Sequence, residues 1–289
     1  MLKFKQKNKK QKKEFLHSSK RIKSSASHSK SPSFVDQLAD FICGVHVDVI
    51  ERTRNIDYSG VVGRLRADLS DLHQQIQIAV SQKNGLPTSA IFPFLARKFL
   101  EISLTAILAR VDPIRLIAAR KNQTGATYEM GKRNLGSISW VGDIFPKESM
   151  SGDTLWCDKS LKSGPERSLL GWHMSDTGFK NGLDWLAEQD CSKSEWIRQL
   201  SQKDDKLAWV KSNIASLYSQ LSKGVHAEFL IDERVNFSSE SIETYLQDCY
   251  MNVCLLAAAT HHSCLFARPI QYTSILKILN KIESEISPG

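Results

Sequence analysis

LAWVKSNIASLYSQLSKGVHAE, residues 207–228, is the run whose reading decides the fold. Leu207, Val210, Ile214, Leu217 and Leu221 recur at steps of three and four, which gathers apolar side chains along one side of an α-helix. The stripe halts after Leu221. Gly224 costs about 1 kcal/mol inside a helix relative to alanine, so it either caps the helix or is kept because a neighbouring backbone or ligand comes close. His226 follows two residues later. Beyond a polar turn at Asn236, Ser238 and Ser239, a second helical pattern runs through Ile242, Tyr245, Leu246, Cys249, Met251, Val253 and Leu256 to Phe266, with Ser238 or Ser239 as its N-cap. Ser222-Lys223-Gly224-Val225-His226-Ala227-Glu228 therefore lies at a break between two helices.

Working back toward the N-terminus, the same period recurs. Ser33 is placed to cap a helix carrying Phe34, Val35, Leu38, Ile42, Val45 and Val49. A second helix is expected from Val61 to Ser81, stopped by Asn84-Gly85-Leu86-Pro87. A third, from Pro93 to Val111, carries Leu95, Phe99, Ile102, Leu104 and Leu108, with Pro93 at its start, where proline is tolerated. Asp112-Pro113 should end or kink it, with Ile114 to Ala119 continuing as a further piece. Arg97 and Glu101, four apart, can pair on one face of this helix for a few tenths of a kcal/mol if exposed. Arg110, Arg115 and Arg120 fall at its end and beyond; they form either a phosphate-binding edge or, the favoured reading, a solvated charged face paired locally with Asp112.

From Lys121 to Gly182 the helical period dissolves into a Gly-, Ser- and Trp-rich stretch that includes Trp140, Trp156 and Trp172. It is too long for a connector and too aromatic for a disordered one, so an ordered insertion is expected, a lid or partner-binding surface with short strands near Ser137 to Val141. The organisation read from the chain is thus a basic tail over residues 1–33, a helical region over 34–120, the irregular insertion over 121–182 and a second helical region over 183–289. The fold class is mainly α, a helical bundle bearing an irregular insertion.

Charge is unevenly spread. The net charge is +8, yet residues 1–33 hold eleven Lys and Arg against the single acid Glu14, giving +10, while the remaining 28 basic and 30 acidic residues give −2. Rich in serine and poor in apolar residues, this tail is expected to be disordered. Lys9, Lys10, Lys12, Lys13 and Arg21 are among the groups that would attract phosphate backbones by counterion release without sequence preference; an anionic membrane surface or plain solvation are the competing uses. The tail lacks a signal-peptide core, and no stretch of 18 uncharged apolar residues occurs, so no membrane span is expected. Six cysteines scattered without a Cys-x-x-Cys pair suit a reducing compartment, and the expected location is the cytoplasm.

Few catalytic patterns survive inspection. Cys254, His261 and Cys264 share one helical stripe, but their spacings of seven and three depart from the i, i+4 of helical metal pairs, and buried free cysteines are the commoner explanation. Trp172-His173 with Asp176 reads as packing. There is no Gly-x-Ser-x-Gly elbow, dinucleotide fingerprint or solenoid repeat, and no metal or cofactor is called for.

The arrangement around residues 222–228, a helix followed by polar residues, a histidine and a final helix, resembles the end of HEPN domains, helical bundles whose motif is an arginine four to six residues before a histidine. The resemblance implies a helical domain associated with RNA or with nucleic-acid enzymes, in bacterial defence or toxin-like systems, whose metal-independent RNase site is formed at a homodimer interface. Here the matching positions, Ser219, Gln220 and Leu221, carry no base, and Lys223 is the nearest cation. On that resemblance His226 would be general acid or base, Lys223 would stabilise the developing phosphorane charge, and Ser222 or Glu228 would orient the histidine. Without the arginine, binding of RNA or DNA, or of a nucleic-acid enzyme, is the preferred expectation over catalysis. An interaction subunit using the Trp-rich insertion is the third reading, and a histidine hydrogen-bonded at a helix end is the purely structural one.

Overall fold

The computed structural model describes residues 33–44, 56–81, 88–125, 171–225, 237–263 and 269–286, together with Tyr128, Glu129, Ile138, Ile144, Phe145, Phe266 and Ala267. The described residues are overwhelmingly helical and include no strand: α1 (Phe34–Cys43), α2 (Ile56–Ser81), α3 (Thr88–Val111), α4 (Pro113–Thr124), α5 (Gly171–Ala187), α6 (Glu195–Ser201), α7 (Lys206–Val225), α8 (Ser239–His262) and α9 (Tyr272–Ile286). Ser33–Gly289 form one compact unit, in which the helical regions before and after the insertion share a single core.

α3 and α8 form its centre. Each is apolar around most of its circumference, they pack on each other, and the amphipathic helices are laid around them. α8 is buried continuously from Cys249 to His261. α3 is flanked by α2, α7, α1 and α4, and α8 by α5, α9, α7 and α1. The outer helices bury one stripe apiece: Leu38, Phe41 and Ile42 from α1, Leu207, Val210, Ile214, Leu217 and Leu221 from α7, and Ile275, Leu279 and Ile282 from α9.

Local chemistry fixes the ends. Ser33 caps α1, its Oγ accepting from the Asp36 N–H at 3.2 Å, and Gly44 closes the helix at φ 66°, a conformation in which a side chain is strained. Asp112 caps α4 through the Arg115 N–H at 2.9 Å, with Pro113 in the first turn, so the Asp-Pro pair ends one helix and starts the next. Ser238 caps α8. α2 ends at Ser81, as expected, but begins at Ile56 rather than Val61.

Two expectations are corrected. α3 starts at Thr88, so Pro93 lies in its second turn and removes one backbone hydrogen bond there. Part of the presumed irregular insertion is regular: Lys121 to Thr124 complete α4, and Gly171 to Gly182 belong to α5, where glycines at 178 and 182 had masked the helical period. Ile144 is fully buried, with Phe145 packed on Phe179 at a ring separation of 6.1 Å, so this part of the insertion joins the core. The expected strands at Ser137 to Val141 lie, apart from Ile138, outside the described residues, as does the basic tail before Ser33.

Candidate functional site

The three arginines, read as a phosphate-binding edge or, preferably, a solvated charged face, have separate fates. Arg110 occupies the second-last position of α3 and points into the core rather than to solvent, with 1 % of its surface exposed. Its Nε donates to the Ala267 carbonyl at 3.2 Å, one Nη to the Thr260 hydroxyl and the other to His261 Nδ1 at 2.9 Å. His261 Nδ1 also accepts from the Ile270 N–H at 3.0 Å, which places the ring proton on Nε2, 2.7 Å from the Phe41 carbonyl. Four chain segments are tied together by this pair. Burial pushes the Arg110 guanidinium down to about 9, and burial together with that guanidinium pushes the imidazole well below its ordinary range. Neither local pairing with Asp112 nor contact with an external phosphate describes Arg110, because its side chain finds acceptors in the last turn of α8 and in the segment that follows it. Arg115 is also buried, at 4 % exposure, in the first turn of α4. Only Arg120 stays on an accessible surface.

That surface is a cleft of about 930 Å³ framed by α2, α3 and α4, with Ile138 on its rim. Leu65, Ile102 and Leu116 supply apolar wall, while Arg64, Arg120, Thr105 and Gln123 supply polar groups. Glu101 also lines it. Its Oε1 accepts from Arg97 Nε at 3.1 Å and from the Tyr218 hydroxyl at 3.1 Å, and Arg97 reaches that hydroxyl at 2.6 Å while lying over the phenol ring. The expected i, i+4 pair thus exists, widened to a triad by a tyrosine from α7 that no spacing could supply. Burial, with Glu101 next, raises the Tyr218 phenol, so it donates to the carboxylate.

At the end of α7, Gly224 is not a cap. The helix runs on to Val225, and a Cβ at 224 would lie 2.6 Å from the Phe237 ring and 2.7 Å from Pro93 Cγ. Close approach, the other expectation for this glycine, is the one realised. Lys223 is exposed in the last turn, and the Ser222 Oγ is buried with no hydrogen-bond partner among the described residues. His226 and Glu228 lie outside the described residues, as do Trp140 and the cationic tail residues Lys9, Lys10, Lys12, Lys13 and Arg21.

Cys254 and His261 do share a stripe, and it is core: Cys254 is fully buried, burial pushes its thiol well above the ordinary range, and His261 is held by Arg110 and the Phe41 carbonyl. Among the described residues no group of three His, Cys, Asp or Glu side chains is placed to hold a metal ion. Among them, too, no helix is long and apolar enough to cross a membrane. The cleft escaped sequence reasoning because its walls come from three helices; the one local signal was glycine at 60 and 63 within a helical run. Comparison with protein-family models, curated proteins and solved structures found no match.

Proposed function

We propose that this chain is a cytoplasmic nucleic-acid-associated protein, binding RNA or DNA or adapting a nucleic-acid enzyme, and that its basic arm supplies the affinity. One observation carries the reading: the whole positive excess of the chain, +10, resides in residues 1–33, against −2 for the rest. Burial of Arg110 and Arg115 strengthens that assignment, since it removes two of the cations the folded unit was expected to offer. Lys9, Lys10, Lys12, Lys13 and Arg21 would contact phosphates as point charges, which gives attraction without base readout.

The test is binding of a mixed-sequence RNA and a DNA duplex as salt is raised. Contact with six to ten phosphates would lower affinity by roughly 10³–10⁵ between 50 and 200 mM salt. Glutamine at positions 9, 10, 12 and 13 should flatten that slope, and removal of residues 1–32 should abolish it. Ser33 is retained in the deletion because it caps α1. Salt-insensitive binding, or binding that survives the deletion, overturns the reading.

The HEPN-type RNase is a second reading, favoured by exposed Lys223 three residues before His226. Metal-independent cleavage of an RNA pool in EDTA that persists without the arm and is lost in His226→Ala would establish it. An interaction subunit is the third, and predicts instead that changes at Trp140 or Trp172 release a protein partner.

A further inference from the structure

Tyr272, the first residue of α9, keeps 53 % of its surface in solvent although two other rings touch it. The ring centre of Trp185 from α5 lies 4.8 Å away, and that of His262, the last residue of α8, 5.8 Å away. Trp185 and His262 are themselves stacked, 4.6 Å apart and 12° from parallel. Burial lowers the His262 pKa, so this ring stacks as a flat, uncharged group at pH 7. Three helices thus bring three rings together at one point of the surface. Their spacing decides what the cluster can hold. A cage for an organic cation needs rings standing apart around a void, each with its centre within about 6 Å of the cation. Here each ring touches the other two, and Asp184, the acid beside Trp185, is taken by Lys206 at 3.2 Å. The group that fits is therefore a planar one laid on the outer face. The basic arm is rooted on the same part of the unit: Gln37, whose N–H bonds the Ser33 carbonyl, accepts from Lys281, nine residues along α9 from Tyr272. That is about 13 Å of helix.

We propose that Tyr272, backed by Trp185 and His262, is a stacking platform for an unpaired nucleobase of a single-stranded nucleic acid. The inference rests on the nucleic-acid reading above and adds to it the part of the ligand that the folded unit takes. Cations of the arm attract phosphates whether or not the bases are paired, whereas a base can lie on a protein ring only when it has left its own stack. Every base has a π-face, so the platform adds affinity without reading sequence. Trp185 and His262 hold the tyrosine ring in place before the base arrives, which lowers the ordering cost of the contact.

Fluorescence anisotropy of the full chain at one fixed salt concentration tests this, with four labelled probes: an oligothymidylate, an abasic strand with the same number of phosphates, a duplex of equal length and an oligoproline peptide. The oligothymidylate should bind roughly fivefold or more tightly than the abasic strand, a comparison that needs no variant. Tyr272→Ala should remove that margin and leave abasic and duplex binding as they were, and Tyr272→Phe should keep it, since the ring and not the hydroxyl stacks. Phe94→Ala removes a ring of similar exposure, 55 %, from α3 and should leave the margin intact. Equal binding of oligothymidylate and abasic strand, or an equal loss in Phe94→Ala, overturns the platform while the arm reading stands. Binding of the oligoproline that depends on Tyr272, without the margin for bases, assigns the cluster to a peptide and overturns it as well. Absence of binding to every strand sinks the nucleic-acid reading, and the platform with it.

Discussion

At the residue scale, His73 and His261 dominate because both are buried as neutral rings. His73 Nδ1 lies 2.5 Å from the Tyr250 hydroxyl, and burial pushes the imidazole down to about 4. His261 is also pushed well below its ordinary range, by burial and by the Arg110 guanidinium beside it. A histidine whose folded-state pKa falls below its unfolded value of about 6.5 takes up its proton more readily when unfolded. The stability it contributes is complete above that value and is lost as pH falls through the window toward the folded pKa. For His73 alone the expected loss between pH 7 and pH 5 is about 2 kcal/mol, and His261 adds to it in the same direction. Urea melts at those two pH values check this. The midpoint should drop at pH 5, and His73→Phe should remove part of the drop; a midpoint that holds or rises would sink it. At this scale, too, Arg110 shows why a charge in a sequence cannot be assigned to solvent by its type. A helix-end arginine is ordinarily exposed, yet here the Ala267 carbonyl, a threonine hydroxyl and an imidazole meet it inside.

At the element scale, the glycines separate two uses of a missing side chain. In α5, a Cβ at Gly182 would fall 2.5 Å from the Ala259 carbonyl oxygen and 2.7 Å from its Cα, so α5 and α8 cross at backbone contact. In α2, a Cβ at Gly63 would meet nothing within 4 Å. The same substitution should therefore have opposite signs. Gly182→Ala must force the helices apart and should destabilise by about 2 kcal/mol or more, whereas Gly63→Ala should stabilise by about 0.5–1 kcal/mol through helix propensity and a less flexible unfolded chain. Thermal unfolding of the two variants reads both signs at once. Equal effects would mean that the α5–α8 crossing is wider than described. Gly224 belongs with Gly182, since Phe237 and Pro93 occupy the volume of its side chain, and this contact seats the end of α7 on the second turn of α3.

For the whole molecule, the shared core is the governing fact. α9, last in the chain, packs on α1, the first helix after the arm, and on α8; Lys281 donates to Gln37 at 2.6 Å, and buried Glu283 accepts from the Ser194 hydroxyl and the Trp196 N–H. Elements distant in sequence thus complete each other's burial. Unfolding of the 33–289 unit should consequently be one cooperative transition, with helical circular dichroism and tryptophan fluorescence changing together. Leu279→Ala, which opens a cavity where α9 meets the core, should shift that whole transition by about 2–5 kcal/mol rather than release the C-terminal helix alone. Two separated transitions would show instead that the regions before and after the insertion fold independently.

How much of this was legible beforehand depends on the range of the interaction. Periodicity along one segment reports which face is apolar, and caps report where a helix begins. The helices at 34, 207 and 239, the caps Ser33 and Ser238, the break at Asp112-Pro113 and the Arg97–Glu101 pair were therefore written in short stretches of sequence. The charge division between arm and body was written there too, because charge needs only composition. By itself, then, the sequence determined an all-helical class, the register of most helices and an electrostatically distinct N-terminus. The tertiary structure decided the rest: that Arg110 turns inward to Thr260 and His261, that Tyr218 joins Glu101, that Gly224 and Gly182 are points of contact, and that Gly60 and Arg120, far apart in the chain, build one wall of a cleft. Each of these depends on which helices become neighbours, and that is set by the summed burial of many apolar side chains at once rather than by any segment's own pattern.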